Sequence, residues 1–283
     1  MRDTKENWSN DPRMKQIANQ QITNMVRSEL RERAKNGFFS QPYPGYPTER
    51  YSTTGSDLTI PAGPWDTANE HAKPLNPGEI ARLGTDGVRF DDLGRPLHPW
   101  IEDFVHDPNI GVISGPGAYW NYGENPAADP IYITRLPQPM VLLIRRRDTG
   151  SLALSGGFRN KTTQADGSAI FEDPVIAALR EGKEEAGLRR PWFSRGQRIY
   201  SGLVGDRRVT AHAWVHSTAI LFRPILPWPV HGRDDALQAN WYPINKLPDQ
   251  LFGSHRILVE LAKQVVKGEI EIVGDEDTVT QAT

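Results

Sequence analysis

The chain of 283 residues contains no cysteine, which excludes disulfide scaffolds, zinc ribbons and cysteine nucleophiles. It also lacks an excess of charge of one sign, since 33 Lys and Arg face 35 Asp and Glu. This balance argues against a protein that mainly holds nucleic acid or an anionic membrane. No apolar run approaches the roughly 18 residues that a membrane-spanning helix needs. We therefore expect neither a nucleic-acid partner nor a membrane partner.

The N-terminal sequence, MRDTKENWSNDPRMK, has no apolar segment and carries acidic side chains. Secretory signals and transit peptides have the opposite character, so the sequence predicts a cytoplasmic protein. At about 150 residues per domain, the length predicts two domains. The 25 Gly and 23 Pro predict many loops between their regular elements.

The first predicted domain is a small cap that comprises residues 1–125. Apolar residues recur at helical spacing within residues 11–35, which predicts a helix there. Residues 37–123 are rich in Pro, Gly and aromatic side chains and show little periodicity. Because disordered segments are poor in aromatics, we expect an ordered but irregular structure with short strands at 87–90 and 111–113.

The second predicted domain, residues 126–275, has a regular pattern and is followed by a flexible tail, 276–283. Strands are predicted at 131–134, 140–144, 152–154, 198–204 and 211–222, and helices at 174–188 and 251–267. The strand at 140–144 is apolar throughout, as in a strand buried on both faces. Since strands and helices interleave, the sequence predicts a layered α/β fold.

Chemistry is concentrated in residues 156–188. Asp173 followed by Pro174 is a typical helix start, and Gly187 is a typical helix end. The helix between them contains the charged run Arg-Glu-Gly-Lys-Glu-Glu at residues 180–185.

Three carboxylates of this run share one side of the predicted helix. Glu181 and Glu185 are four residues apart, and Glu184 adjoins them. Carboxylates packed in this way repel one another, and a hard cation such as Mg²⁺ or Mn²⁺ would compensate them. Taken alone, the run could also be a solvated helix face on which Arg180 pairs with Glu184.

The whole arrangement resembles the Nudix box, in which Gly, five residues, Glu and seven residues precede Arg-Glu, an apolar residue, any residue, Glu-Glu, any residue, Gly and an apolar residue. The matching residues are Glu172, Arg180, Glu181, Glu184, Glu185, Gly187 and Leu188. Two features depart from the pattern: 14 residues, 158–171, replace the five, and Gly182 replaces the apolar residue. The resemblance implies a Nudix-type α/β/α sandwich with a mixed sheet, behind an irregular N-terminal domain with a helix.

Further segments resemble the mitochondrial-type ADP-ribose pyrophosphatases and the related ADP-ribose-sensing domain of a TRP-family cation channel. They are GENPAADPIYITR at 123–135, YSGLVGDRRVTAHAW at 200–214, and Ser254-His255. The resemblance covers about residues 90–270. It implies Mg²⁺-dependent hydrolysis of ADP-ribose, as the small-molecule substrate, to AMP and ribose 5-phosphate.

The resemblance also implies roles for individual residues. Glu181 and Glu185 would be the main metal ligands, with Glu184 assisting and the Gly157 carbonyl completing the set. Asp206 is one candidate for the general base, and Glu172 is another. The predicted substrate-binding residues are Asp129, Arg147, Arg207, Arg208, Trp214 and His255. For Trp214 a place in the core is the favoured interpretation, because it lies in a predicted strand.

Two alternatives stay open at this point. One is a Nudix hydrolase of another nucleoside diphosphate derivative, such as NADH, a diadenosine polyphosphate or a nucleotide sugar. The other is an ADP-ribose-binding sensor with weak catalysis. The long insertion before Glu172 keeps the sensor interpretation open, whereas the intact carboxylates favour an enzyme.

Overall fold

The computed structural model describes residues 20, 23–28, 31, 49–51, 58–59, 75–104, 112–117, 119–164, 169–188, 195–206, 208–248, 251–269 and 276–278. Of the predicted helix at 11–35, residues 20, 23–28 and 31 are helical, and the others lie outside the described residues. Within the described ranges, no helix combines the length and apolar character needed to cross a bilayer.

The described residues form short N-terminal elements and then a regular domain. The helices are α1 Pro77–Thr85, α2 Ile101–Phe104, α3 Pro174–Ala186 and α4 His255–Lys267. The strands are β1 Glu49–Tyr51, β2 Leu58–Thr59, β3 Val112–Ser114, β4 Gly123–Tyr132, β5 Met140–Arg146, β6 Leu152–Ala153, β7 Gly157–Phe158, β8 Lys161–Thr163, β9 Ala169–Phe171, β10 Arg195–Leu203, β11 Ala213–Phe222, β12 Ala236–Pro243 and β13 Glu276–Thr278.

Two sheets form the centre of the regular domain. The larger sheet has the order β13-β10-β11-β4-β7, and the smaller has the order β12-β5-β6. The long pair β11 and β4 is parallel, whereas the other pairs in these sheets are antiparallel. The predicted α/β fold with a mixed sheet is therefore confirmed.

Helices α3 and α4 cover opposite faces of these sheets. Along β5, Val141 and Leu143 pack in a cluster with α4, whereas Leu142 and Ile144 pack in a cluster with α3. Successive side chains of a strand point to opposite faces, so a wholly apolar strand must be covered on both sides. This arrangement is the predicted α/β/α sandwich.

Several predicted boundaries differ from the structure. The helix predicted from residue 251 begins at His255, because Gly253 has a positive φ of 54° that a helix does not accommodate. The strand predicted at 87–90 is wrong: Phe90 makes a single bridge to Pro96, around a turn at Gly94. Of the strand predicted at 111–113, residue 111 lies outside the described residues and Val112–Ser114 form β3.

Other elements were not predicted. Helix α1 begins with an Asn76 capping box and lies in the region expected to be irregular. Strand β12 alternates too weakly in apolar character to be recognised. Strand β4 begins three residues before the expected domain boundary at residue 126, and Glu276–Thr278, in the expected tail, pair with β10.

The unusual glycine of the box, Gly182, is explained by a neighbouring tyrosine. A Cβ atom at Gly182 would lie 2.3 Å from the hydroxyl oxygen of Tyr132. Tyr132 is itself buried and stacks on Phe222 with ring centroids 5.0 Å apart. The tyrosine therefore fills the space that the apolar residue of the Nudix pattern would take.

We expect Gly182→Ala to destabilise the protein by about 1–3 kcal/mol, although Ala is the better helix former by about 1 kcal/mol. In a Tyr132→Phe background the same substitution should cost less than half as much free energy of unfolding. The reason is that the hydroxyl oxygen closest to the new Cβ atom is absent. Urea denaturation of the four proteins of this cycle measures the coupling. Equal penalties in both backgrounds would contradict the proposed contact.

Candidate active site

A pocket of about 460 Å³ opens between α3, the turn before β7, the loop after β10 and the start of α4. It is lined by three carboxylates of α3, Glu181, Glu184 and Glu185. The pocket thus collects residues from segments that lie as far apart in the sequence as Trp120 and His255.

Two carboxylates of α3, and that of Glu172 just before the helix, are arranged around the guanidinium group of Arg180. Arg180 Nη1 lies 2.6 Å from Glu181 Oε1 and 3.0 Å from Glu184 Oε2, and its Nη2 lies 2.9 Å from Glu172 Oε2. The predicted pair of Arg180 with Glu184 is therefore present. Because one cation faces three anions, the cluster retains excess negative charge.

The turn before β7 lies directly against these carboxylates. The Gly156 amide donates a hydrogen bond of 3.0 Å to Glu185 Oε2. A Cβ atom at Gly157 would lie 2.4 Å from Glu181 Oε1, so a side chain there would displace the carboxylate. The glycines are thus required by close backbone approach to the acidic side chains.

Burial changes the protonation of the two inner carboxylates. Glu181 is 9% exposed and Glu185 is 5% exposed. Burial raises the pKa of Glu185 to about 8, and the neighbouring Glu181 adds to this effect. Burial also raises the pKa of Glu181, although Arg180 opposes the change. Because burial disfavours the charged form of these carboxyl groups, a bound cation would stabilise that form.

The metal-binding geometry itself is not formed. Among the described residues, no group of three His, Asp or Glu side chains is arranged to hold a metal ion. Arg180 contacts the carboxylates of both Glu181 and Glu184. The chemistry of the donors nevertheless fits a hard divalent cation, because two buried carboxylates adjoin a backbone turn that only glycine allows.

Arg208 and Asp206 form a second charged group in the pocket. Arg208 Nη2 lies 2.6 Å from Asp206 Oδ2, and its Nε lies 2.9 Å from Asp206 Oδ1. Burial alone would raise the pKa of Asp206, but the ion pair and hydrogen bonds with Arg208 outweigh it and lower the pKa. The guanidinium also lies over the ring of Phe158, 5.3 Å from its centroid. The predicted neighbour Arg207 lies outside the described residues.

His255 and Asp129 meet in the same pocket. His255 Nδ1 accepts a hydrogen bond of 2.9 Å from the Leu154 amide, so the neutral ring carries its hydrogen on Nε2. That nitrogen lies 3.7 Å from Asp129 Oδ1, and Asp129 Oδ2 accepts from the Ser217 hydroxyl. Burial lowers the pKa of His255, with Asp129 opposing the shift. A neutral, oriented donor results.

Two predicted substrate residues lie elsewhere. Trp214 is 3% exposed and packs edge-on to His98 with centroids 5.4 Å apart, so it belongs to the core. Arg147 donates to the Asp234 carbonyl at 3.1 Å and does not line the pocket. Its neighbour Arg146 lines the pocket instead and lies 4.3 Å from the centroid of the Phe252 ring.

The alternation of side chains along β5 would have predicted that Arg146 lies near the acidic helix. Leu142 and Ile144 point toward α3, and alternation along β5 puts Arg146 on that same face, where the carboxylates of α3 lie. Other pocket residues gave no such signal. They are Trp120, Phe252, Asp234 and Asp235.

No protein-family model matches the chain. A transient receptor potential cation channel subfamily M member-like 2 from Nematostella vectensis is 30% identical over an alignment of length 280, which includes 79% of this chain and 17% of the channel. Putative nudix hydrolase 6 from Caenorhabditis elegans is 26% identical and covers 80% of this chain and 86% of its own length. The mitochondrial ADP-ribose pyrophosphatase of Rattus norvegicus is 23% identical, in an alignment that covers 83% of this chain and 79% of the rat protein.

These relatives confirm the resemblance that the box and the further segments predicted. Over about four fifths of its length the chain is similar to a protein named as a putative nudix hydrolase and to one named as an ADP-ribose pyrophosphatase. It spans about a sixth of the length of the channel relative.

Proposed function

We propose that the protein hydrolyses the pyrophosphate bond of ADP-ribose to give AMP and ribose 5-phosphate, with Mg²⁺ or Mn²⁺ as cofactor. The observation that carries this proposal is one pocket that holds both buried carboxylates and arginines. Glu181 and Glu185 provide acidic oxygens, and Arg146 and Arg208 provide cations for phosphate oxygens. The names of the rat and worm relatives support the reaction class.

The residues that would hold the metal are Glu181, Glu184, Glu185 and the carbonyl of Gly157. When bound, a divalent ion supplies polarisation of the pyrophosphate and a water of lowered pKa. Arg180 keeps the carboxylates of Glu181 and Glu184 together before the ion enters, because its nitrogens contact both. The Gly156 amide holds Glu185 in position through its hydrogen bond.

The other polar groups would bind and orient the substrate. Arg208 is held in a fixed plane by Asp206 and can neutralise a phosphate without losing further side-chain entropy. His255 offers a neutral N–H donor at Nε2. Asp206 and Glu172 both have a lowered pKa, unlike a base matched to neutral pH. We therefore assign Asp206 as an acceptor for a ribose hydroxyl.

Product analysis tests this proposal. Incubation with ADP-ribose and Mg²⁺ should release AMP and ribose 5-phosphate, separable by chromatography, and EDTA should stop the release. Turnover should be compared with NADH, a diadenosine polyphosphate and a nucleotide sugar. A much better rate with one of those three would overturn the choice of substrate. Calorimetric binding of ADP-ribose without AMP release in Mg²⁺ would identify a sensor instead.

A further inference from the structure

A second cavity of about 250 Å³ adjoins the pocket described above. Trp120 and Phe158 line both spaces, so the two are neighbours across these aromatic side chains. The Trp120 side chain is 63% exposed, which is unusual for so large an apolar group. Whole ligands typically fill about 300–1,000 Å³, so this smaller space suits one arm of a ligand.

The insertion in the box builds a wall of this second cavity. Strands β8 and β9 form a hairpin in which Lys161 pairs with Phe171, and both residues line the cavity. This hairpin lies within residues 158–171, where the Nudix pattern has five residues. The extra length therefore adds a surface next to the pocket and leaves the carboxylates of α3 in place.

The walls combine an aromatic surface with positive charge. Arg159 Cζ and Lys161 Nζ each lie 5.9 Å from the centroid of the Phe171 ring. Arg159 donates to the carbonyl oxygens of Phe171 and Glu172. Lys161 Nζ contacts Asn121 Oδ1 at 3.0 Å and Glu79 Oε1 at 2.7 Å, which ties the hairpin to the segment before β4 and to helix α1. Among the described residues, no acidic side chain lines this cavity.

A nucleobase joined to a phosphate has the matching chemistry. Its flat ring can stack on an exposed tryptophan, its polar edge can bond to amide side chains, and its phosphate needs cations. The amide of Asn160 and the cations Arg159 and Lys161 lie in this one cavity. A sugar phosphate without a base would use the charges but would leave the aromatic surface exposed.

We propose that the second cavity is a nucleobase subsite, which binds the nucleoside 5′-phosphate arm of the substrate by contact with Trp120 while the hairpin cations face its phosphate. The subsite rests on the proposed function, in that the scissile pyrophosphate lies in the adjoining pocket. It makes the hairpin a determinant of substrate choice: substrates with a base on this arm are preferred over base-free sugar diphosphates.

Calorimetric titration with AMP and with ribose 5-phosphate, in EDTA so that no divalent cation contributes to binding, tests the subsite. Trp120→Ala should weaken AMP binding about tenfold, the size expected for one base–aromatic stack, and leave ribose 5-phosphate unchanged. Trp120→Phe should retain most of the wild-type affinity for AMP, because it keeps an aromatic ring. Lys161→Met should weaken AMP binding, whereas Lys246→Met, at an exposed lysine outside both cavities, should not. Thermal unfolding checks that each variant is folded.

The outcomes separate this inference from the proposed function. If Trp120→Ala and Lys161→Met bind AMP as tightly as Lys246→Met does, the subsite is wrong even when ADP-ribose is hydrolysed. If these two variants alone lose AMP affinity and the wild type does not cleave ADP-ribose, the subsite stands and the proposed reaction fails.

Discussion

The Glu185→Gln variant should lose about a thousandfold in the rate of ADP-ribose hydrolysis while its fold is retained. The loss follows because an amide cannot supply the charge that holds a divalent cation, and that cation lowers the activation barrier by several kcal/mol. The fold should survive because burial raises the pKa of Glu185 to about 8, so the group is largely uncharged at pH 7 without metal. The Gly156 amide can still donate to the glutamine oxygen.

Two measurements test this expectation together. Turnover with ADP-ribose and Mg²⁺ gives the loss of rate, and thermal unfolding in EDTA should give a midpoint at or above that of the wild type. Glu260→Gln, on the partly exposed surface of α4, is the matched control and should change neither quantity. Near-normal turnover by Glu185→Gln would remove Glu185 from the proposed metal ligands.

Local rules were sufficient to predict the acidic helix. Asp173 accepts hydrogen bonds from the amides of residues 175 and 176, and Gly187 adopts the left-handed conformation at the helix end, as their residue types predict. The spacing of the glutamates then dictates that they share one side of the helix. Each of these features depends on residues within about ten positions of one another.

The remainder of the site depends on contacts between distant segments. His255 is oriented by the Leu154 amide, 101 residues away, and no pattern around either residue shows this. The sequence allowed Trp214 to be either a core residue or a ligand contact, because an aromatic side chain in a strand suits both. Its burial and its packing against His98 assign it to the core. Arg146 was within reach of sequence reasoning, since strand alternation distinguishes it from Arg147.

Removing the guanidinium of Arg180 should destabilise the protein by about 2–4 kcal/mol, the largest loss of stability that we expect from any single substitution near the site. In Arg180→Met, the carboxylates of Glu172 and Glu181 keep their burial but lose their cation. The Phe158 carbonyl also loses the hydrogen bond that Arg180 Nη2 donates to it at 2.9 Å. Arg89→Met removes a comparable ion pair on the open surface and should cost less than about 1 kcal/mol.

The pH dependence identifies the cause of that loss. Burial alone would raise the pKa of Glu172, but its hydrogen bonds with Arg180 lower it below the ordinary value of 4.5. A lowered carboxyl pKa contributes stability above pH 4.5 and loses it as the pH falls. The difference in free energy of unfolding between wild type and Arg180→Met, measured by urea denaturation, should therefore become smaller below pH 4.5. Added Mg²⁺ should also make it smaller at pH 7, because either change compensates the same negative charge. A stability difference between the two proteins that is constant with pH would show that Arg180 acts through packing and not by neutralising the acidic cluster.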